Sequence, residues 1–179
     1  MNALNIRPAI ASDIPVLLKL DHSVHSEYVW QLELRHEAPQ IHATLRQVRL
    51  PRPIRVEYPR NLSALPDVWH LKSAFWVVTE GNAPVGYMTL QADLALDLVH
   101  ITDLMIAPVL RRRGLAARLL KLAQDWALEH HLPRLMLELP AKNHPAVCLA
   151  QKHLFEFCGY NEAYYPSRDV TLFFCKVIR

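Results

Sequence analysis

The residues with the clearest chemical potential form one turn, Arg111-Arg112-Arg113-Gly114-Leu115-Ala116. It sits between an apolar run ending Asp103-Leu104-Met105-Ile106-Ala107-Pro108 and a helical pattern that follows. The first turn of a helix leaves backbone amides without partners and carries the positive end of the helix dipole. Such an end holds phosphate. Gly114 lets the backbone approach a ligand closely, Ala116 keeps the floor low, and three arginines add positive charge. The pyrophosphate of a nucleotide cofactor suits these groups; a solvated charged turn is the plainer use of them. The turn fits neither the P-loop pattern nor G-x-G-x-x-G. His22-x-x-His25 beside Asp21 and Glu27 offers spacing alone, short of the three or four convergent ligands a metal needs, so no metal site is expected. No Ser-His-Asp or Cys-His arrangement can be inferred.

The elements around this turn read as strand, turn, helix, strand. Residues 98–106 form a strand, stopped by Ala107-Pro108. Residues 115–130 form a helix whose stripe is Leu115, Leu119, Leu122, Ala123 and Trp126, and residues 134–139 form the next strand. That is a right-handed crossover unit with parallel strands. Residues 75–80 and 85–91 flank Gly81-Asn82-Ala83-Pro84 as an antiparallel hairpin, so the sheet is mixed. Residues 4–7 give a first strand, and Ser12 N-caps a helix through Leu20, with Pro15 in its first turn. A short helix spans 145–154, followed by strands near 155–160 and 170–177. Within 22–73 the pattern is less regular. Tyr28, Trp30, Leu32 and Leu34 alternate as one face of a strand broken by His36-Glu37-Ala38-Pro39. Residues 41–50 fit a helix or a strand, ended by Pro51 and Pro53, and 54–58 alternate again. Residues 61–71 are a loop or short helix.

The chain has 179 residues, 51% hydrophobic and 21% charged, which suits one domain, 1–179, with a sizeable core. No apolar run reaches the ~20 residues that span a bilayer. The N-terminus lacks a basic-then-apolar signal region, so a cytoplasmic protein without membrane partners is expected. A net charge of +3, from 20 basic and 17 acidic residues, is too mild to argue for nucleic acid. Cys148, Cys158 and Cys175 form no CxxC and read as buried, reduced thiols.

Arg111-x-x-Gly114-x-Ala116 in its strand–turn–helix setting resembles the acetyl-CoA motif of the GNAT superfamily of N-acetyltransferases. The hairpin before it and Asn143-x-x-Ala146 after it sit where that family has them. The resemblance implies an α/β (α+β mixed) fold: a mixed, splayed sheet flanked by helices, with a substrate-side insert at about 22–73. It implies acetyl-CoA as cofactor and direct transfer of acetyl to a primary amine of a small molecule or peptide. The amides of Arg111, Arg112, Arg113, Gly114, Leu115 and Ala116 would hold the pyrophosphate. Leu104, Met105 and Ile106 would line the pantetheine arm, Met105 and Ile106 by backbone pairing at an open strand edge, and one of their amides would polarise the thioester carbonyl. Asn143 would contact the cofactor near its pantetheine end. A closer likeness, to the streptothricin acetyltransferase group, rests on Leu45-Arg46-Gln47-Val48, Pro53 to Pro59, and the tail from Asn143 through Phe155-x-x-Cys158-Gly159-Tyr160.

Two departures stand out. The family tyrosine that protonates the leaving thiolate falls on Ala150 in a gap-free register, with the family glycine on Leu154, or on Phe155 in a register anchored at Cys158-Gly159-Tyr160. Neither residue transfers a proton. Tyr160 is the substitute taken here; Tyr164, Tyr165, His153 and His144 are the others. The second departure concerns the base, which must take a proton from an ammonium acceptor. A glutamate of the streptothricin group is Thr102 here. Asp103 remains as polar support or base, with His100 nearby and Glu138 in reserve; alternation puts Thr102 and His100 on one face and Asp103 on the other. Residues 35–60 hold six arginines against Glu37 and Glu57, which favours an acceptor with carboxylate or phosphate over a polycation. A non-catalytic acyl-CoA sensor is the rival reading, and a nucleic-acid or protein-binding module a third. The oligomeric state stays open between monomer and homodimer.

Overall fold

The protein, here a computed structural model, is described over residues 3–179. Its elements in chain order are β1 (Leu4–Pro8), α1 (Ile14–Leu17), β2 (Val24–Glu37), β3 (Gln40–Val56), α2 (Leu65–Val68), β4 (Ala74–Glu80), β5 (Ala83–Asp93), β6 (Leu98–Ile106), α3 (Leu115–Glu129), β7 (Arg134–Pro140), α4 (His144–Lys152), β8 (Glu156–Asn161) and β9 (Thr171–Val177). The chain divides into two units: one holds the residues up to His22, Arg60–Glu138 and Cys175–Arg179, the other Ser23–Pro59 and Leu139–Phe174.

In the first unit the strand order is β1-β4-β5-β6-β7. The first three pairings are antiparallel and β6–β7 is parallel, so the mixed sheet and the strand–helix–strand crossover stand as expected. One side chain cluster, Ile14, Leu17, Leu65, Phe75, Val77, Tyr87 and Met105, fixes α1 and α2 to this sheet. Burying a Leu or Phe side chain is worth roughly 1.5–3 kcal/mol, which outweighs the weak intrinsic helicity of such short segments. α3 buries Leu115, Leu119, Leu120, Ala123 and Ala127. Leu120 and Ala127 join the stripe, while the expected Leu122 and Trp126 are half-buried and Trp126 stacks on His130 at 3.9 Å.

The helix expected from a Ser12 cap is shorter and differently started. Ala11–Asp13 is a 3-10 turn, α1 follows with Pro15 in its first turn, and Ser12 caps nothing. Asp13 does the anchoring: its carboxylate accepts Arg7 Nη1 and Nη2 at 2.7 and 2.8 Å and the Ile10 amide at 2.9 Å.

In the second unit β2 and β3 form one long antiparallel hairpin turning at Ala38-Pro39. Residues 41–50 are therefore strand, and Pro51 and Pro53 do not end it. The register jumps from Ser26↔Ile54 to Tyr28↔Arg49, so Glu27 alone faces residues 50–53. An irregularity of this kind accommodates prolines, which cannot donate to a ladder. Tyr28 and Trp30 pack against His144 of α4, and the Trp30 amide donates to Ala141 O at 2.9 Å. β8 pairs with β9, whose residues 171–174 belong to this unit. The thiols are not buried as expected: Cys148 and Cys158 are exposed and Cys175 half-buried, and none forms a disulfide among the described residues.

Two predictions concern stability. Hydrogen bonds from Arg7 lower the Asp13 pKa, against burial, which raises it. The folded-state value lies below the unfolded one, so the carboxylate stabilises the fold above about pH 4 and that contribution fades as pH falls through the folded-state pKa. Asp13→Asn is expected to cost ~1.5–3 kcal/mol at pH 7 in urea melts, with the gap to wild type closing below about pH 4. Leu154 holds a left-handed φ of 61° on an exposed site. A branched side chain there costs ~1–2 kcal/mol, so Leu154→Gly should raise the denaturation midpoint, by roughly 0.5–1 kcal/mol after glycine's entropy cost.

Candidate functional site

The turn after β6 opens α3 without a capping side chain. Gly114 is the N-cap of the helix, with φ 78°. Arg118 N bonds back to Gly114 O at 3.1 Å, which leaves the earlier amides of α3 pointing out of its mouth. A Cβ built on Gly114 would meet nothing within 4 Å, so the space above the turn is open. Arg112 and Arg113 are exposed, and Arg112 is also left-handed at φ 66°. Arg111 behaves differently. Its Nε donates to Ile106 O at 2.8 Å, pinning the turn to the end of β6, and burial lowers its pKa.

Beside this turn, β6 and β7 part. Their ladder pairs Leu98–Ile101 with Arg134–Leu137, while β6 runs on to Ile106. The residues expected along a pantetheine arm, Leu104, Met105 and Ile106, lie on this continuation. At the parting point Arg60 takes the place of the ladder. Its Nε donates to Thr102 O on β6 at 3.1 Å and its Nη2 to Glu138 on β7. Glu138 is 3% exposed, and its other oxygen meets His100 Nδ1 at 3.3 Å.

Asp103 faces a second buried cluster. Its Oδ2 accepts from Thr89 and, at 3.2 Å, from Thr102 Oγ1, while Lys72 Nζ lies 3.2 Å from Thr102 Oγ1 and 4.0 Å from Asp103. Simple alternation, which put Thr102 and Asp103 on opposite faces, fails here. The β5–β6 register shifts between Thr89↔Asp103 and Leu90↔Ile101, so Thr102 is an inserted bulge residue and both side chains reach Thr89. His22, read above only for its spacing to His25, is buried. Its ring nitrogens meet Leu20 O at 2.7 Å and Tyr87 Oη at 3.2 Å, and burial lowers its pKa.

The second unit holds Asn143 and Tyr160. Asn143 caps α4, its Oδ1 accepting from Ala146 N at 3.2 Å. Tyr160 lies half-buried on β8. Ala150 and Phe155, the two alternative positions of the family tyrosine, are both buried. Leu154 occupies the left-handed conformation that glycine usually fills. His144 lies 3.2 Å from Cys148 Sγ, and burial lowers its pKa.

Sequence reasoning missed the roles of Arg60, Lys72 and Thr89, because no local pattern marks a side chain that crosses from one element to another. It also passed over Gly86, which faces Ile106 on β6. A Cβ there would sit 2.7 Å from both Met105 O and Ile106 Cδ1. An isolated glycine in a strand is the signal that could have found it.

A cradle of uncapped amides beside a parted strand edge fits a diphosphate with an extended arm. Comparisons agree. The acetyltransferase (GNAT) family model matches residues 42–160, more than half of the chain, and the chain belongs to that family. It is therefore an N-acetyltransferase, and acetyl-CoA is its acyl donor. Among solved structures, nourseothricin acetyltransferase is 21% identical with a TM-score of 0.83, covering 99% of each chain. A putative streptothricin acetyltransferase from Bacillus anthracis, in complex with acetyl coenzyme A, is 20% identical with a TM-score of 0.75, covering 98% of this chain and 100% of that one. The ribosomal-protein-S18-alanine N-acetyltransferase of Escherichia coli is 16% identical with a TM-score of 0.69, covering 98% and 94%. These likenesses show the shared fold. No curated protein matches the sequence at a significant level. No helix among the described residues is long and apolar enough to cross a membrane.

Two substitutions test this geometry. Arg60→Ala leaves Glu138 buried without its cation and is expected to cost about 3–5 kcal/mol in denaturant melts. Gly86→Ala should cost ~1–3 kcal/mol by pressing on the end of β6, and should weaken acetyl-CoA binding measured by calorimetry.

Proposed function

We propose that the protein transfers acetyl from acetyl-CoA directly to a primary amine of a small molecule or peptide. The observation that carries this is the uncapped, left-handed Gly114 mouth of α3 next to the parted end of β6. In this reading the amides from Arg111 to Ala116 bind the diphosphate, with Arg112 and Arg113 adding charge at its rim. The edge of Leu104, Met105 and Ile106 aligns the pantetheine arm, and an amide of Met105 or Ile106 polarises the carbonyl. Asn143 contributes from the start of α4. When bound, acetyl-CoA supplies an activated thioester. Tyr160 is the residue assigned to protonate the leaving thiolate, since Ala150 and Phe155 carry no proton to give. Asp103, held by two hydroxyls and beside Lys72, serves as polar support.

The acceptor's charge is less restricted than the six arginines of residues 35–60 suggest. Arg35 and Arg46 pair with Glu33, Arg55 with Glu57 and Arg60 with Glu138. Four of the six arginines thus meet three glutamates, which reduces the basic surplus without removing it.

Gly114→Leu is expected to weaken acetyl-CoA binding by tenfold or more, read by calorimetry, with circular dichroism unchanged. Wild-type protein should release free thiol from acetyl-CoA only when a suitable amine is present. Unaltered affinity in the variant would remove the cradle from the reading.

A further inference from the structure

We infer that His100, oriented by Glu138, is the proton acceptor for the amine, with Arg60 as a positioning residue; this rests on the acetyltransferase reading. A carboxylate only accepts hydrogen bonds, so the contact of His100 Nδ1 with Glu138 Oε1 at 3.3 Å places the ring hydrogen on Nδ1. In the neutral ring Nε2 is then left with the lone pair. The ring is 26% exposed and no partner for Nε2 exists among the described residues. Glu138, by contrast, is 3% exposed and bridged to Arg60. A buried carboxylate fixes the tautomer, a half-open imidazole presents its base, and a cation crosslinks the carboxylate to the main chain at Thr102. That is the arrangement of an oriented acid–base histidine.

Its location supports the assignment. His100 pairs in register with Met136 within the last two rungs of the β6–β7 ladder, and Glu138 follows the last rung at Leu137. The dyad therefore stands where the strands part, on the strand that continues to Met105 and Ile106. The nearby alternative, Asp103, is 7% exposed with Thr89 and Thr102 on Oδ2 and Lys72 at 4.0 Å. The charged groups around the dyad are Glu138 on β7, Arg60 ahead of α2, Lys72 ahead of β4 and Asp103 on β6. The register partners of His100, Gln91 and Met136, carry no charge.

The balance is closed. Nε2 takes one proton from the ammonium, whose nitrogen keeps the electron pair. As the carbon–nitrogen bond forms and the carbon–sulfur bond breaks, a second nitrogen-bound proton leaves and the thiolate is protonated. His100 returns its proton to solvent, and one proton is released per amide formed.

The test uses the full chain, acetyl-CoA and a panel of 1,4-diaminobutane, lysine amide and a dipeptide with a free amino terminus. Thiol release is followed from pH 6 to pH 10. His100→Gln is expected to lower kcat/KM at pH 7 by on the order of 10²-fold or more. The deficit should close toward pH 10, where solution itself deprotonates the amine. Added imidazole should restore part of the rate of His100→Ala. Glu138→Gln should show a smaller loss with the same pH dependence. Acetyl-CoA affinity in the His100 variants should stay within about twofold of wild type, by calorimetry. A His100→Gln protein with wild-type rate at pH 7, or with a loss uniform across pH, overturns the assignment. Absence of acetyl-CoA binding by the wild type would remove the acetyltransferase reading itself, and this inference with it.

Discussion

Two neighbouring parallel strands normally stay paired, because an unpaired buried carbonyl or amide costs about as much as a lost hydrogen bond. β6 and β7 stop pairing after Ile101 and Leu137. What makes that tolerable is Arg60, which satisfies Thr102 O on one strand and Glu138 on the other. The guanidinium is suited to this: it stays charged, and its rigid fork of donors serves two acceptors at once. The open edge along Leu104 to Ile106, the burial of Glu138 and the posture of His100 all follow from this one crosslink.

Backbone exceptions cluster around the same place. Thr102 is an inserted residue, so Thr89 gathers both Thr102 and Asp103 and a polar cluster forms where alternation would have separated them. Gly86 lets β5 run close beneath Met105 and Ile106, and Gly114 turns the chain through a left-handed conformation into α3. With only four glycines in the chain, two are spent on these positions. Bulges and glycines re-aim side chains next to binding sites in this manner.

The stretch expected as one substrate-side insert, 22–73, has two fates. Residues 23–59 form the hairpin of the second unit, three of whose five arginines pair with Glu33 or Glu57. Residues 60–73 belong to the first unit, and they bring Arg60 and Lys72 to its buried carboxylates. Counting charge along the chain merged these roles, because the count cannot see which partner each arginine meets.

Local pattern determined much of this protein. The strand, basic turn and helix around Gly114 were legible from residue spacing, and so were the β4–β5 hairpin, the parallel pair and the family itself, since each depends on residues within a few positions of one another. The undecided segment 41–50 was not: an apolar pattern there fits two periods, and only pairing with β2 made it a strand that carries Pro51 and Pro53 through its irregularity. Tertiary structure alone decided the surroundings of the two polar side chains on β6. By sequence Asp103 is the favoured base with His100 nearby, but in the fold Thr89 and Lys72 enclose Asp103 while Glu138 contacts His100. Those partners come from positions 14 to 38 residues away, and hydrogen bonds over such separations exist only once the sheet has formed.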